Sequence, residues 1–146
     1  MGMIASEAIA RSRVLIVDDH LLVRRTLTQL INQSQDLVLC GHASSVDEGT
    51  ETAVRLQPDL AIVDLALGSD NSLQLIRQLR ERLPHMRILV LSMHEENVYA
   101  FPVLQAGANG FVMKQKAAQH LFEAIHAVLA GRVYVCSPVR EQLGRD

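Results

Sequence analysis

The chain has 146 residues, 49% of them hydrophobic, and a formal net charge of −2 at pH 7. This length and apolar content predict one domain with a proper core and argue against a disordered chain. The absence of a basic run and of Trp argues against a chain that by itself binds nucleic acid. The two cysteines do not have the spacing of a metal-binding pair, and this cysteine usage suits a reducing cytoplasmic setting. No apolar run approaches the ~18 residues that a membrane-spanning helix needs.

The predicted elements follow an amino-terminal lead-in, residues 1–12, that we expect to be disordered. Apolar runs of strand length lie at residues 14–17, 37–40, 60–64, 87–91 and 110–113. Helical patterns lie between these runs. The apolar residues that mark them are Val23, Leu27, Leu30 and Ile31 in the first helix, Ala53 and Leu56 in the second, Leu75, Ile76 and Leu79 in the third, and Leu121, Ile125, Val128 and Leu129 in the fifth. The fourth helix closes at Gly107. The pattern predicts five strands and five helices.

Local signals refine several helix ends. Ser45 and Glu48 have the spacing of a capping box, and Pro58 ends the helix that the box opens. Pro102 falls inside the fourth predicted helix, so we expect that helix to begin late, with Pro102 in its first turn, or to kink. The helical arginines, Arg80 among them, are expected on solvated faces.

Strict alternation of strands and helices predicts an α/β fold, a doubly wound parallel sheet with helices on both faces. We expect residues 13–131 to form this domain. Residues 132–146 combine a short apolar patch with Pro138 and mixed charge, and we expect a carboxy-terminal linker there.

Polar residues end four of the five predicted strands. They are Asp18 and Asp19, Asp64, Ser92 and Lys114. Taken singly, each has an ordinary explanation as a helix cap or a solvated loop residue. Because a parallel sheet brings the carboxyl ends of its strands to one edge, where such sheets bind ligands, we expect these side chains to converge in one site.

The chemistry of such a cluster can be argued directly. Clustered carboxylates repel one another and need a cation, and oxygen ligands in an open loop favour Mg²⁺. Lys114 can pair with a phosphoryl oxygen, and Ser92 can donate a hydrogen bond to another. Asp64, carried on a stiff strand, can attack phosphorus and form an aspartyl-phosphate. Neither glycine-rich nucleotide-binding motif is present, so the phosphoryl donor should be another protein or a small phosphodonor.

Four segments together resemble a two-component response-regulator receiver domain, of the NarL/LuxR type. They are residues 14–20 (Val-Leu-Ile-Val-Asp-Asp-His), Asp64 after its apolar strand, the pair Leu91-Ser92, and residues 106–114 (Ala-Gly-Ala-Asn-Gly-Phe-Val-Met-Lys). The resemblance covers about residues 13–131. It implies the flavodoxin-like strand order 2-1-3-4-5, the order that also describes the chemotaxis receiver.

The resemblance also implies roles for single residues. Asp64 would be the phosphoacceptor, phosphorylated by a sensor histidine kinase. Asp19 and Asp64 would hold Mg²⁺ with the backbone carbonyl of Ala66, and Asp18 would act partly through water.

Lys114 would contact the phosphoryl group. Ser92 and Phe111 would form a switch, in which Ser92 moves toward the phosphoryl group and Phe111 turns inward behind Ser92. The surface of the fourth helix, fifth strand and fifth helix would change in response. The protein would be no enzyme beyond weak self-phosphorylation and self-dephosphorylation, and it could form a homodimer.

The sequence departs from the family pattern near the site. Gly68 and Ser72 stand where Pro and Gly are usual, and Ala66 replaces a common polar residue. Met93 is bulkier than the small residue often found after Ser92. We expect these changes, with Pro102, to modify phosphorylation or dephosphorylation rates.

Several interpretations remain beside this one. The resemblance implies a LuxR-type DNA-binding output domain beyond the linker, hence transcription regulation; the alternative is a stand-alone receiver that acts as an interaction module or phosphate sink. His20 and His94 could bind a transition metal together with the aspartates, or be solvated loop residues. A phosphatase-like enzyme would need a second carboxylate beside its nucleophile, but Leu65 and Ala66 follow Asp64.

Overall fold

A computed structural model describes residues 11–64, 69–93 and 96–135 of the chain. The strands are β1 (Ser12–Val17), β2 (Leu37–Ala43), β3 (Leu60–Asp64), β4 (Arg87–Ser92) and β5 (Gly110–Met113). The helices are α1 (Leu21–Asn32), α2 (Val46–Leu56), α3 (Ser69–Arg82), α4 (Glu96–Ala106) and α5 (Ala117–Leu129), with a 3₁₀ turn at Lys114–Lys116. All strand pairs are parallel, in the order β2-β1-β3-β4-β5. The predicted fold class and strand order are confirmed.

The sheet is buried on both faces, which explains why its strands are continuous apolar runs. Along β1, Leu15 and Val17 join one core cluster, whereas Val14 and Ile16 join another. The first cluster contains residues of α2, α3 and α4, and the second contains residues of α1 and α5. Helices therefore cover both faces, as the alternating sequence predicts. Among the described residues, no helix combines the length and apolar character needed to cross a membrane.

β2 is longer than predicted and contains a bulge. Val14 pairs with Leu39 and Leu15 with Gly41, so Cys40 is left out of the register. The strand continues to Ala43 through residues without a run of large apolar side chains, which is why the prediction ended it at Cys40. Burial raises the pKa of the half-buried Cys40 thiol, as expected of an inert cysteine.

The predicted cap of α2 is present with one difference. Ser45 Oγ accepts a hydrogen bond from the Glu48 backbone N–H at 3.2 Å. The Glu48 carboxylate accepts from the backbone N–H of Ser44 rather than from that of Ser45. At the other end, Gln57 adopts a left-handed conformation with φ of 50°, which ends the helix before Pro58.

Of the two expectations for the fourth helix, the late start is wrong, and the kink stays a prediction. α4 begins at Glu96, so Pro102 lies in its interior rather than in its first turn. Ala100 and Val103 are buried on the core side, whereas Pro102 is exposed. Pro102 has no N–H to donate to the carbonyl four residues earlier. Packing of the buried face of the helix offsets the loss of this hydrogen bond.

The prediction of a solvated Arg80 is also wrong. Its Nε and Nη2 atoms donate to the Gly107 carbonyl at 3.0 and 2.8 Å, and Nη1 donates to the Met86 carbonyl at 2.7 Å. Nη2 also donates to Asn109 Oδ1 at 2.8 Å, which in turn accepts from the Ile88 backbone N–H. Arg80 thus ties the end of α3 to the start of β4 and to the loop before β5. A helical-face pattern could not show this, because every partner is a neutral oxygen supplied by a loop or strand end.

The segment Arg132–Val135, here called the C-terminal strap, packs on the domain. The Tyr134 carbonyl accepts from the Phe111 N–H at 2.9 Å, and the Tyr134 N–H donates to the Asn109 carbonyl at 3.0 Å. Tyr134 thereby forms a parallel bridge with Gly110 of β5, and Val135 is buried in the core. The ordered part of the chain extends at least to Val135, four residues past the predicted boundary at 131. The division into lead-in, domain and linker otherwise stays a prediction.

Candidate functional site

The carboxyl edge of the sheet carries the predicted site. Asp18 directly follows β1, Asp64 ends β3, and Lys114 follows β5. Asp18 and Asp64 are each only 1% exposed, although both are acidic. The hydrogen bond from the Asp18 N–H to the Ala43 carbonyl at 2.9 Å holds the backbone of Asp18 at the end of β2. The site is therefore held on the ends of buried strands.

Lys114 lies between the two buried carboxylates. Its Nζ atom is 2.9 Å from Asp64 Oδ1 and 3.6 Å from Asp18 Oδ2. The lysine side chain is only 10% exposed, so water screens these interactions little. One ammonium group offsets part of the negative charge of two buried carboxylates.

The other oxygens of the same carboxylates point to a second group of side chains. Asp18 Oδ1 lies 3.3 Å from His20 Nδ1, and Asp64 Oδ2 lies 3.5 Å from it. Asp19 Oδ1 is 3.1 Å from the same nitrogen, and its side chain is about half exposed. One ligand atom from each of these four residues lies within 4.8 Å of the others. Each buried carboxylate thus has one oxygen on the lysine side and one on this second, more open side.

The electrostatics of Asp18 indicate a need for more positive charge. Burial raises the pKa of its carboxyl, and a hydrogen bond from the His20 backbone N–H opposes this. The nearby Asp64 charge raises the pKa further, whereas Lys114 lowers it. Among the described residues, Asp18 Oδ2 is buried without a hydrogen bond. A divalent cation on the open side of the cluster would offset the repulsion between the carboxylates, so the acidic cluster is compatible with Mg²⁺.

Ser72 supports Asp64 from behind. Its hydroxyl donates to the Asp64 backbone carbonyl at 3.2 Å, and the bond is fully buried. In the sequence, Ser72 stands out only as a departure from the family pattern. It follows the polar residues Ser69, Asp70 and Asn71, so nothing in the sequence indicated that its side chain would be buried.

The predicted switch residues lie in the interior. Ser92 and Phe111 are both completely buried, and Phe111 belongs to the core cluster beneath α2, α3 and α4. The aromatic ring is therefore already turned inward. Met93 is 62% exposed at the end of β4. Ala66, Gly68 and His94 lie outside the described residues, so the predicted backbone ligand at Ala66 and the second histidine stay predictions.

Comparisons with known proteins agree with this geometry. Residues 14–126 match the family described as the response regulator receiver domain. The chain is 36% identical over 122 residues to the nitrate/nitrite response regulator protein NarL of Escherichia coli (strain K12), covering 82% of this chain and 56% of that protein. It is 35% identical over 120 residues to the DNA-binding transcriptional activator DevR/DosR of Mycobacterium tuberculosis (strain ATCC 25618 / H37Rv), covering 82% and 55%. The chain thus spans little more than half the length of these relatives.

Solved structures show the same likeness. A two-component response regulator of the LuxR family from Aurantimonas sp. SI85-9A1 superposes with a TM-score of 0.84 at 28% identity, covering 93% of this chain and 97% of that one. The signal receiver domain of the putative response regulator NarL from Mycobacterium tuberculosis gives 0.77 at 27% identity, covering 84% and 99%.

Proposed function

Since the chain belongs to the response regulator receiver domain family, with relatives of the NarL/LuxR type, we propose that Asp64 accepts a phosphoryl group from a sensor histidine kinase. One observation supports the proposal most directly. Lys114 Nζ lies 2.9 Å from Asp64 Oδ1 at the carboxyl edge of the sheet, beside Asp18 and Asp19. Receiver domains are signalling proteins rather than classical enzymes, and the stand-alone alternative is not favoured by the comparisons.

The proposed transfer requires few parts. A carboxylate oxygen of Asp64 attacks phosphorus, the new O–P bond forms, and the P–N bond to the kinase histidine breaks. The departing imidazole keeps the electron pair of that bond. Lys114 is already at hydrogen-bonding distance from the nucleophile, so its ammonium group can stabilise charge on the phosphoryl oxygens. Ser72 fixes the backbone of Asp64 while the side chain reacts.

The proposed cofactor is Mg²⁺. Asp18, Asp19 and Asp64 would hold it, together with the backbone carbonyl of Ala66. When bound, it supplies positive charge to the phosphoryl oxygens and offsets the repulsion among the carboxylates. One ligand atom of each of the three aspartates lies within 4.8 Å of the others, which supports a shared cation among them.

The proposed output follows from the added charge. An aspartyl-phosphate carries about 1.5 to 2 negative charges in place of the single charge of the Asp64 carboxylate, so the site gains up to about one negative charge. We propose that Ser92 and Phe111 respond to it and alter the surface of α4, β5 and α5. Control of a DNA-binding domain in the full-length protein, and a cytoplasmic location beside the kinase, belong to the same proposal.

Mass spectrometry of the intact protein tests the proposal. Treatment with acetyl phosphate and Mg²⁺ should add one phosphoryl group to the native chain. Asp64→Ala should abolish the addition, and EDTA should prevent it. Asp47→Ala is the matched control, since Asp47 is an exposed aspartate in the first turn of α2.

The control variant should be phosphorylated like the native chain. No gain of mass by the folded native protein would refute the phosphoacceptor role. A gain that persists in Asp64→Ala would place the reaction on another residue.

A further inference from the structure

His20 lies against the carboxylate cluster rather than in solvent alone. Its Nδ1 atom is 3.1 Å from Asp19 Oδ1, 3.3 Å from Asp18 Oδ1 and 3.5 Å from Asp64 Oδ2. One imidazole nitrogen therefore faces one oxygen of each of three different aspartates. These oxygens of Asp18 and Asp64 are the ones that Lys114 does not contact.

The distances from His20 Nδ1 are compatible with ligands around a single ion. Octahedral coordination with bonds of about 2.1 Å places neighbouring ligand atoms about 3 Å apart. The three distances from Nδ1, 3.1, 3.3 and 3.5 Å, lie just above that value. All four ligand atoms lie within 4.8 Å of one another, so a single cation can lie close to all of them.

The backbone position of His20 favours a ligand role over a capping role. His20 is the N-cap residue of α1, a position where Ser, Asp or Asn normally satisfies the first helical N–H groups. Its side chain makes no capping hydrogen bond. Its own N–H donates to Asp18 Oδ1 at 2.7 Å, which fixes the residue beside the cluster. The imidazole is thus held near the carboxylates while contributing nothing to the helix end.

An imidazole changes which ions a site prefers. Mg²⁺ favours oxygen ligands, whereas imidazole nitrogen suits the divalent transition metals. Affinity for a nitrogen-containing site rises from Mn²⁺ to Co²⁺ and beyond. An imidazole among the ligands should therefore strengthen the binding of Mn²⁺ and Co²⁺ more than that of Mg²⁺.

We propose that His20 Nδ1 is a direct ligand of the cation in this site, and that it makes the site bind Mn²⁺ and Co²⁺ more tightly than Mg²⁺. The inference rests on the proposed function for the role of that cation. It goes beyond that function by adding a residue and a metal preference. The exposed side of the His20 ring, with the side chain 57% exposed, leaves space for water ligands on the same ion.

The test measures metal binding without any phosphoryl donor. Isothermal titration of the protein, prepared without a histidine tag, with Co²⁺, Mn²⁺ and Mg²⁺ gives three dissociation constants. Absorption of bound Co²⁺ in the visible range reports whether nitrogen replaces oxygen in its coordination. The variants are His20→Ala and His20→Gln, the second of which keeps a polar side chain. His85→Ala is the control, because His85 is an exposed histidine between α3 and β4, at the opposite edge of the sheet.

Removal of the imidazole should weaken Co²⁺ binding about tenfold or more and change Mg²⁺ binding less than about twofold. The cobalt spectrum should shift in both His20 variants and stay unchanged in His85→Ala. Equal losses for Co²⁺ and Mg²⁺ would overturn the proposal, since they would indicate that His20 only positions the aspartates. Unchanged affinities, or no binding of any of the three ions, would also overturn it.

Circular dichroism shows whether each variant is folded. If His20→Ala does not fold, the metal affinities of His20→Gln provide the test. The outcome is separable from that of the proposed function. Phosphorylation of Asp64 is read from intact mass with Mg²⁺, whereas the metal preference is read from binding alone. A chain that is phosphorylated normally but shows no His20-dependent Co²⁺ binding refutes only the inference about His20.

Discussion

At the carboxyl edge of the sheet, Asp18 and Asp64 share one ammonium group, and Asp18 Oδ2 has no hydrogen bond among the described residues. At the amino edge, the guanidinium of Arg80 is surrounded by carbonyl oxygens and the side chain of Asn109. Burial dominates the pKa shift in both places: it raises the pKa of Asp18 and lowers that of Arg80. Both ends bury charge, but only one of them leaves it incompletely satisfied.

This difference between the two edges of the sheet indicates that the carboxyl edge serves binding and the amino edge serves stability. Neutral carbonyls satisfy all the directions in which Arg80 donates, so that end can hold the fold together but has little capacity to bind anything further. Asp18 and Asp64 repel each other, and this repulsion is costly in the unliganded protein and useful for binding a cation or a phosphoryl group. The following substitutions test this contrast, beginning with the largest expected effect.

Lys114→Ala should have the largest effect, and it should act on chemistry. Removing a donor that stabilises transition-state charge typically lowers the rate by about 10²- to 10³-fold. We therefore expect acyl-phosphate formation from acetyl phosphate to slow by that factor, as measured by the time course of intact mass. Lys116→Ala, which removes an exposed lysine of the same 3₁₀ turn, is the control. A loss smaller than about threefold in Lys114→Ala would contradict the role of this lysine.

Arg80→Met should act on stability. It leaves the Gly107 and Met86 carbonyls without their charged donor, and hydrogen bonds to charged groups contribute about 1.5 to 3 kcal/mol. We expect the free energy of unfolding in urea to fall by about 3 kcal/mol. Arg77→Met, an exposed arginine on the same helix, should change it by less than about 0.5 kcal/mol.

Arg80→Met also tests whether the amino edge of the sheet is independent of cation binding at the carboxyl edge. The affinity of folded Arg80→Met for the cation should remain that of the native chain. A loss of cation affinity without a loss of stability would mean that the amino edge takes part in binding.

Asp18→Asn should stabilise the unliganded protein. It removes one of two buried carboxylates that repel each other but keeps an oxygen to accept the His20 N–H. We expect the free energy of unfolding, measured with EDTA present, to rise by about 1 kcal/mol, and cation affinity to fall. Asp47→Asn, which changes an exposed aspartate, should show neither effect. Destabilisation by Asp18→Asn would show that Asp18 is needed by the fold itself.

An exposed charge pair gives the smallest expected effect. A hydrogen bond from Ser34, and then the nearby His126, lower the pKa of Asp36, which is half exposed. The stabilisation should therefore be complete above the ordinary carboxyl pKa of about 4 and disappear as the pH falls through the lowered value. Urea unfolding of the native chain and Asp36→Asn should differ by less than about 0.5 kcal/mol at pH 6, and by less still at pH 3. A larger difference would mean that exposed pairs matter here as much as buried ones.

Most of the fold could be predicted from the sequence, because apolar runs and helical spacing are local patterns. β1, β3 and β4 are buried on both faces and read as unbroken apolar runs. The convergence of Asp18, Asp64 and Lys114 was predictable for the same reason, since parallel strands bring their ends together.

The residues that sequence analysis misjudged depend on distant partners. Arg80 acts through Gly107 and Asn109, which follow it by 27 and 29 residues. Ser72 donates to a carbonyl eight residues earlier. Pro102 was misplaced because the burial of Ala100 and Val103 outweighs the local cost of a proline.

The C-terminal strap also affects how the sheet meets other chains. A strand at the edge of a sheet offers unpaired N–H and C=O groups on which a foreign strand can dock. The bridge from Tyr134 to Gly110 occupies that position beside β5 with the protein's own backbone. At the other edge, the bulge at Cys40 interrupts the regular register of β2 with β1. Each side of the sheet thus carries a feature that hinders edge-to-edge aggregation.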